Sequence, residues 1–399
     1  MAAGPLLAQA ETDPALVRAR RVLRASPLID GHNDLPWVIR EDTRAPRDVE
    51  AYDLRKRTTG DTDLQRMRSG QVGAQFWSVF IPGEIKDSGY ARVQLEQIDI
   101  ARRVIERYPE ALSLATSASD VTAAFRNGRI GSLLGMEGGH AIENSLGALR
   151  SYYRLGVRYM TLTHNVTLDW ADAAMDAPRH NGLTPFGRDV VREMNRLGMI
   201  VDISHVTPKV MHDVLDVAEA PVMFSHSSAR ALTDHPRNVP DDVLRRLQRN
   251  GGVVMVTFIP AFVSQSVATW ELRLGELTTG KPADEAARLR AEYARATPKP
   301  VATLKDVADH IDHVRKMAGV NHVGIGSDFW GDPDMPTGLE DASRFPYLFA
   351  ELIRRGWSDA DLAKLAGGNM LRVMRGAEVS AARIQRQRPA STATFEKRY

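Results

Sequence analysis

The sequence predicts an α/β protein built as a (β/α)8 TIM-type barrel, on three observations. Eight apolar, β-rich runs recur along the 399 residues, helix-like stretches lie between them, and no GxGxxG turn follows the first run. Near-continuous apolar strands alternating with helices imply a parallel sheet buried on both faces. Eight such units suit a closed barrel, and the open doubly wound sheet is the alternative whose fingerprint turn is missing.

The runs cover residues 26–34, 72–81, 128–139, 156–165, 198–205, 220–228, 251–259 and 321–329. Between them the spacing predicts helices over Arg92–Tyr108, Pro185–Leu197, Asp241–Asn250 and Thr303–Ala318. In the third of these, Val243, Leu244 and Leu247 form one apolar stripe and Gly251 supplies the stop.

Two segments stand outside the alternation. Residues 260–302 are long, charged and helical over Asp284–Arg295, which predicts an insertion capping or flanking the barrel mouth. Residues 379–399 are basic and contain Pro, Ser and Thr, which predicts a loosely held tail and a barrel domain over 11–378. Residues 1–10 end on Ala-Gln-Ala, like the close of a secretory signal, although no positive stretch precedes them. They predict a periplasmic or secreted protein, with a cytoplasmic one as the alternative.

Composition narrows the classes. A hydrophobic content of 43% supports a sizeable core, and a net charge of +2 without a basic block offers nothing to nucleic acid. No apolar run approaches the length of a membrane span. The absence of cysteine removes disulfides and thiol chemistry.

The polar residues at the run ends carry the functional signal. In such a barrel the active site forms at the C-terminal ends of the strands. Run one delivers His32 and Asp34, run three Glu137, run four His164, run five His205, run six His226 and run eight Asp328. Four of the chain's eleven histidines therefore sit at strand ends, which points to a metal site rather than to chance. His32 and Asp34 lie two apart, so on an extended strand both face one way. Asp202 is a weaker candidate inside its run, and His140 reads as a loop residue. A single catalytic zinc takes three protein ligands and a water, so five ligands from this set, three histidines and two carboxylates, suit two metals sharing a bridging carboxylate. Some barrels bridge with a carboxylated lysine, but no Lys stands at a strand end, and the bridging role falls to Glu137.

With "DGHNDLPW", "GQVGAQFWSVF", "GMEGG", "TLTHN", "GLTPFGRDVVREMNRLGMIVDISHV", "FSHSSAR", "HPRNVPDDVL" and "VGIGSDF" in view, the chain resembles the membrane (renal) dipeptidases, binuclear zinc enzymes of the amidohydrolase superfamily, over about residues 20–375. The resemblance implies that His32, Asp34 and Glu137 bind one zinc, and that Glu137 bridges to a second held by His205 and His226. It implies that His164 contacts the scissile carbonyl, Arg237 binds substrate and Asp328 handles the proton. Two zinc ions bridged by Glu137 and a hydroxide, dipeptide substrates and a homodimer are the expected cofactors and partners. No lipid anchor is expected, since the C-terminus carries no apolar tail. Where the family has Asp-Gly after "SDF" this chain has Trp330-Gly331, and Phe80 and Ile259 replace expected tyrosines, which makes the pocket more apolar. Another amidohydrolase on the same metals, cleaving a β-lactam or another small amide or lactone, is the competing activity. A barrel that binds without catalysing is the non-enzymatic reading.

Overall fold

The computed structural model describes residues 13–85 and 89–395. The expected residues 1–10 of a signal lie outside that range. Nine parallel strands form one sheet: β1 (Leu28–Asp30), β2 (Val72–Ser78), β3 (Leu112–Leu114), β4 (Ile130–Glu137), β5 (Val157–Thr161), β6 (Ile200–Asp202), β7 (Met223–Phe224), β8 (Val253–Val256) and β9 (Val323–Ile325). The order β2-β1-β9-β8-β7-β6-β5-β4 closes through β2–β4 pairing into an eight-stranded barrel surrounded by helices. β3 has no counterpart among the eight predicted runs. It lies outside the closed ring and pairs only with β4, in register Leu112 to Ile130.

The eight predicted runs each hold one barrel strand, but the strands are shorter than the runs. β7 spans two residues and β1 three. The strands stop early because the polar residues at their ends leave the ladder to point into the mouth. His205 and Asp328 do so in left-handed backbone conformations, at φ 66° and 62°. His32 and Asp34 likewise lie past the end of β1, although Asn33 still makes an isolated parallel bridge to Phe329.

The helices follow local rules. Pro185–Leu197 begins with Thr184 accepting from the Gly187 amide, with Pro at its first position, and stops at Gly198 in the left-handed region. Asp241–Asn250 ends on Gly251 in the same way and buries the Val243, Leu244 and Leu247 stripe. Leu304–Ala318 starts with a reciprocal capping box between Thr303 and Asp306.

The core has two parts. The larger lies between the barrel and the helices. The smaller joins alternate strand residues such as Ile29, Phe76, Leu133, Tyr159 and Met255 to Met370, Val373, Met374 and Ala377 of the terminal helix Asn369–Gln387. That helix corrects the expected loose tail from residue 379. Ala381 and Ile384 keep its apolar spacing and are buried, so the helix runs on to Gln387. Beyond it, the Ser391 amide donates to Glu193 and Phe395 packs edge-on against Phe186 at 5.4 Å. The 260–302 segment forms helices Pro260–Val263, Gln265–Thr278 and Ala283–Ala296. Phe262 and Glu271 from it reach the wall of the barrel-mouth cavity.

Candidate metal centre

A cavity of about 430 Å³ opens at the C-terminal ends of the strands. Asp34, Glu137, His164, His205, His226, Arg237 and Asp328 all line it, and His32 lies buried just beneath. The metal, substrate and proton-transfer candidates read from the sequence therefore converge on one site, whereas Asp202 and His140 do not line it.

Glu137 stands at its centre. One carboxylate oxygen, Oε1, lies 3.0 Å from His205 Nε2 and 3.3 Å from His226 Nε2. The other, Oε2, lies 3.3 Å from His32 Nε2, and that nitrogen is 3.4 Å from Asp34 Oδ1. The two oxygens thus face two different groups of donors. Asp34 is the N-cap of helix Leu35–Glu41 but makes no side-chain capping bond, which leaves its carboxylate for the cavity. Donor atoms fall within 4.8 Å of one another in three overlapping sets: His32, Glu137 and His226; Glu137, His164 and His205; and His32, Asp34 and Asp328.

The surroundings fit divalent cations. Buried polar groups without a partner are costly. His32 Nε2 and Asp34 Oδ1 are buried with no hydrogen-bond partner, and both face the others across the site. Burial opposes protonation of His32, but Tyr159, Glu137 and Asp34 around it hold its pKa well above the ordinary value. Surroundings that favour a proton there favour any cation. Burial lowers His205 and His226 well below the usual imidazole range, so both are neutral near pH 7 and offer lone pairs. Burial works against ionised Glu137, yet His32, with the His205 and His226 rings beside it, holds it well below the usual carboxylate range.

Asp328 is different. Burial, with Asp34 and Glu137 nearby, pushes its carboxyl up to about 8, against the pull of His32 and Arg237. A carboxyl that changes state near neutrality suits proton transfer. Gly331 allows the loop to fold back on it, because a Cβ there would lie 3.0 Å from Asp328 Oδ1.

Arg237 is 2% exposed, and burial lowers its pKa to about 10, which leaves it charged at neutral pH. The sequence also allows it to be a structural partner of Asp241 or Asp242. Both are otherwise engaged, Asp241 with His313 at 2.7 Å and Asp242 with His212 at 2.9 Å. The Arg237 guanidinium stacks over Phe262 at 5.1 Å, and its Nη1 is buried without a partner. His164 carries a similar orphan at Nδ1.

Apolar side chains complete the walls. Phe80 packs at 4.7 Å from the His164 ring and edge-on to Trp37 at 5.1 Å. Ile259, Phe262 and Trp330 also line the cavity. The three departures from the family pattern, Phe80, Ile259 and Trp330, thus all border the cavity. The glycines after Glu137 serve packing: a Cβ on Gly138 would meet His140 at 2.2 Å, and one on Gly139 would meet Leu162 O at 2.5 Å. His140 itself turns away, its Nε2 on Ile81 O.

Several contributors carry no signal in the sequence, apart from Asp202, the weaker candidate named above. His235 lines the cavity and stacks on Phe262 at 4.5 Å. Tyr159, Asn165 and Ser225 contact His32, His205 and His226 at 2.8, 3.1 and 2.8 Å. Asp202 is fully buried behind them. Tyr159 and Asp202 sit inside apolar runs, where nothing local separates a packed polar group from a functional one.

A closed barrel with histidines and carboxylates clustered at its mouth has the donor set and the placement of a metal-dependent enzyme. Residues 16–388 match the family model described as membrane dipeptidase, peptidase family M19, and the chain belongs to that family. It is a metal-dependent dipeptidase. It is similar to the probable dipeptidase PvdM from Pseudomonas aeruginosa, at 27% identity and TM-score 0.81, over 92% of this chain and 99% of that one. It also shares its fold with a metallopeptidase from Rhodobacter sphaeroides solved with a phosphinate mimic of L-Ala-D-Ala. There the identity is 23% and the TM-score 0.72, over 88% of this chain and 99% of that one.

Proposed function

We propose that the protein is a zinc-dependent dipeptidase for dipeptides with a free C-terminal carboxylate. In this reading His32, Asp34 and Glu137 hold one ion, and Glu137, His205 and His226 hold a second. The observation that carries the substrate class is Arg237: a buried, charged guanidinium with an unpartnered Nη1 in the wall that also holds His164 and Asp328.

Two divalent cations in this donor set would supply a water of lowered pKa and polarise the substrate carbonyl. The chain's own groups do the rest. His164 donates to the carbonyl oxygen as negative charge develops on it. Asp328 takes a proton from the attacking water and returns it to the leaving nitrogen, since an amine leaves poorly without one. Arg237 offers a planar fork to the terminal carboxylate, one residue beyond the scissile bond, which restricts length to two residues. Phe80, Trp37, Ile259 and Phe262 present carbon to the substrate side chains.

A double-mutant cycle tests the reading. Wild type and Arg237→Met are each assayed on a free dipeptide and on its C-terminal amide. Loss of a charge-assisted pair should lower kcat/KM on the free dipeptide by on the order of 10²- to 10³-fold while changing the amide little. Equal losses on both substrates would show that Arg237 supports its loop and does not read the carboxylate. The competing activity on β-lactams or lactones is favoured if zinc-loaded protein turns those over faster than any dipeptide.

A further inference from the structure

Two buried carboxylates outside the expected ligand set occupy equivalent places in the barrel. Asp30 is the last residue of β1 and Asp202 the last of β6, and both are 0% exposed. Each clasps the serine that follows a neighbouring strand, by amide and hydroxyl together. Ser327 donates its amide to Asp30 Oδ1 at 2.7 Å and its hydroxyl to Oδ2 at 2.6 Å. Ser225 donates its amide to Asp202 Oδ1 at 2.9 Å and its hydroxyl to Oδ2 at 2.6 Å. Each serine immediately precedes a cavity residue, Asp328 in one case and His226 in the other.

The second clasp reaches one atom further. Ser225 Oγ also lies 2.8 Å from His226 Nδ1. A hydroxyl has one hydrogen, and the Asp202 carboxylate takes it. The Ser225 oxygen can then only accept, so Nδ1 carries the imidazole proton and Nε2 presents its lone pair toward Glu137. His32 is arranged in the same way by a different partner. Tyr159 Oη lies 2.8 Å from His32 Nδ1, and Gly31 O, 3.3 Å away, offers an acceptor for the phenol's own hydrogen. A carbonyl cannot donate, so the phenol oxygen accepts from His32 Nδ1–H and leaves Nε2 as the free donor atom.

We propose that the Asp202–Ser225 pair and Tyr159 are positioning residues that fix the tautomers of His226 and His32, each governing one of the two cation positions. This rests on the two-ion reading above. Such outer partners hold a ligand imidazole in one ring orientation, and their loss costs about 10- to 100-fold in metal affinity. Ser225→Ala should therefore weaken the position shared by His205 and His226, and Tyr159→Phe the position shared by His32 and Asp34. Ser327→Ala is the matched control, because it removes the same kind of clasp with no imidazole behind it.

The test is stepwise zinc titration of chelator-stripped protein against a chromogenic competitor, with melting of the stripped proteins measured in parallel. The wild type should take up two ions. Ser225→Ala should lose about 10- to 100-fold at one step, Tyr159→Phe at the other, and their combination at both, while Ser327→Ala binds as wild type does. If the wild type binds fewer than two ions, the two-ion reading falls and the proposal with it. If it binds two, but the variants bind as tightly as wild type, weaken both steps alike or are matched by Ser327→Ala, the proposal alone is overturned. Should Ser225→Ala melt far below wild type, Tyr159→Phe, which deletes one oxygen and keeps the ring, decides the matter by itself.

Discussion

The Nε2 atoms of His205 and His226 stand 2.9 Å apart. The Nδ1 of His205 is occupied by Asn165 Oδ1 and that of His226 by Ser225 Oγ. Amide oxygen accepts and does not donate, so His205 too carries its proton on Nδ1. In the proposed tautomers two lone pairs point at one another in a buried place, an arrangement that a shared positive charge relieves.

Chelation should accordingly destabilise the protein and not merely inactivate it. An ion present at 100 times its Kd contributes about 2.7 kcal/mol to folding. Melting curves with a strong chelator should shift to lower temperature, and added zinc should reverse the shift. Superimposable curves would show that the site tolerates its own repulsion and does not depend on metal for stability.

Asp328→Asn should retain metal and fold but lose turnover. The substitution keeps the shape of a side chain that burial has pushed up to about 8 and removes its capacity to carry a proton. A decrease in kcat of about 10² to 10⁴ is expected, with zinc content unchanged. Near-normal turnover would move the proton-transfer role elsewhere.

Asp61 links pH to stability. Burial raises its carboxyl to about 6, despite the bond from the Trp330 amide and the charge of Arg66. The folded state then holds the proton more tightly than the unfolded chain, whose value is near 3.8. Its contribution is most favourable below pH 4 and is lost as pH rises through about 6. Asp61→Asn keeps an oxygen for the Trp330 amide, so it should melt higher than wild type above pH 6 and match it near pH 4. A constant offset at both pH values would mean that packing, not titration, is responsible.

Gly60 sets the position of Trp330. A Cβ at Gly60 would fall 1.6 Å from Trp330 Cη2, so Gly60→Ala must displace the indole from the cavity wall. Steady-state kinetics should show KM rising several-fold while kcat and zinc content hold, since the donor atoms are untouched. An unaltered KM would remove Trp330 from the substrate surface.

Much of the site was legible because barrels place chemistry at strand ends. An apolar run that stops on His32, Glu137 or His226 announces its site by the break in pattern. Arg237 has no such break and became visible only through its likeness to a family motif. Asp202 and Tyr159 were not legible as partners, since what they touch depends on how β5, β6 and β7 align across the sheet. Strand lengths were overestimated for a related reason. Residues that turn into the mouth, such as His205 and Asp328, are contiguous in sequence with the strand but have left its hydrogen bonding. The tail misled because its charges are conspicuous, whereas Ala381 and Ile384, which dock it, are few.

The barrel seam has a consequence for how the chain reaches this state. Asp30 pairs with Ile325 across β1 and β9, and the helix that joins the inner core comes later still, at Asn369–Gln387. During synthesis the first strand can pair with β2 early, but its other neighbour, β9, exists only when nearly the whole polypeptide has been made. Until then β1 exposes an unpaired edge, and the methionines Met370 and Met374 have not arrived to cover the apolar residues they pack against. Contacts this distant in sequence slow closure and prolong the exposure of that surface. Removing the last helix would uncover the strand residues that Met370, Val373, Met374 and Ala377 now cover.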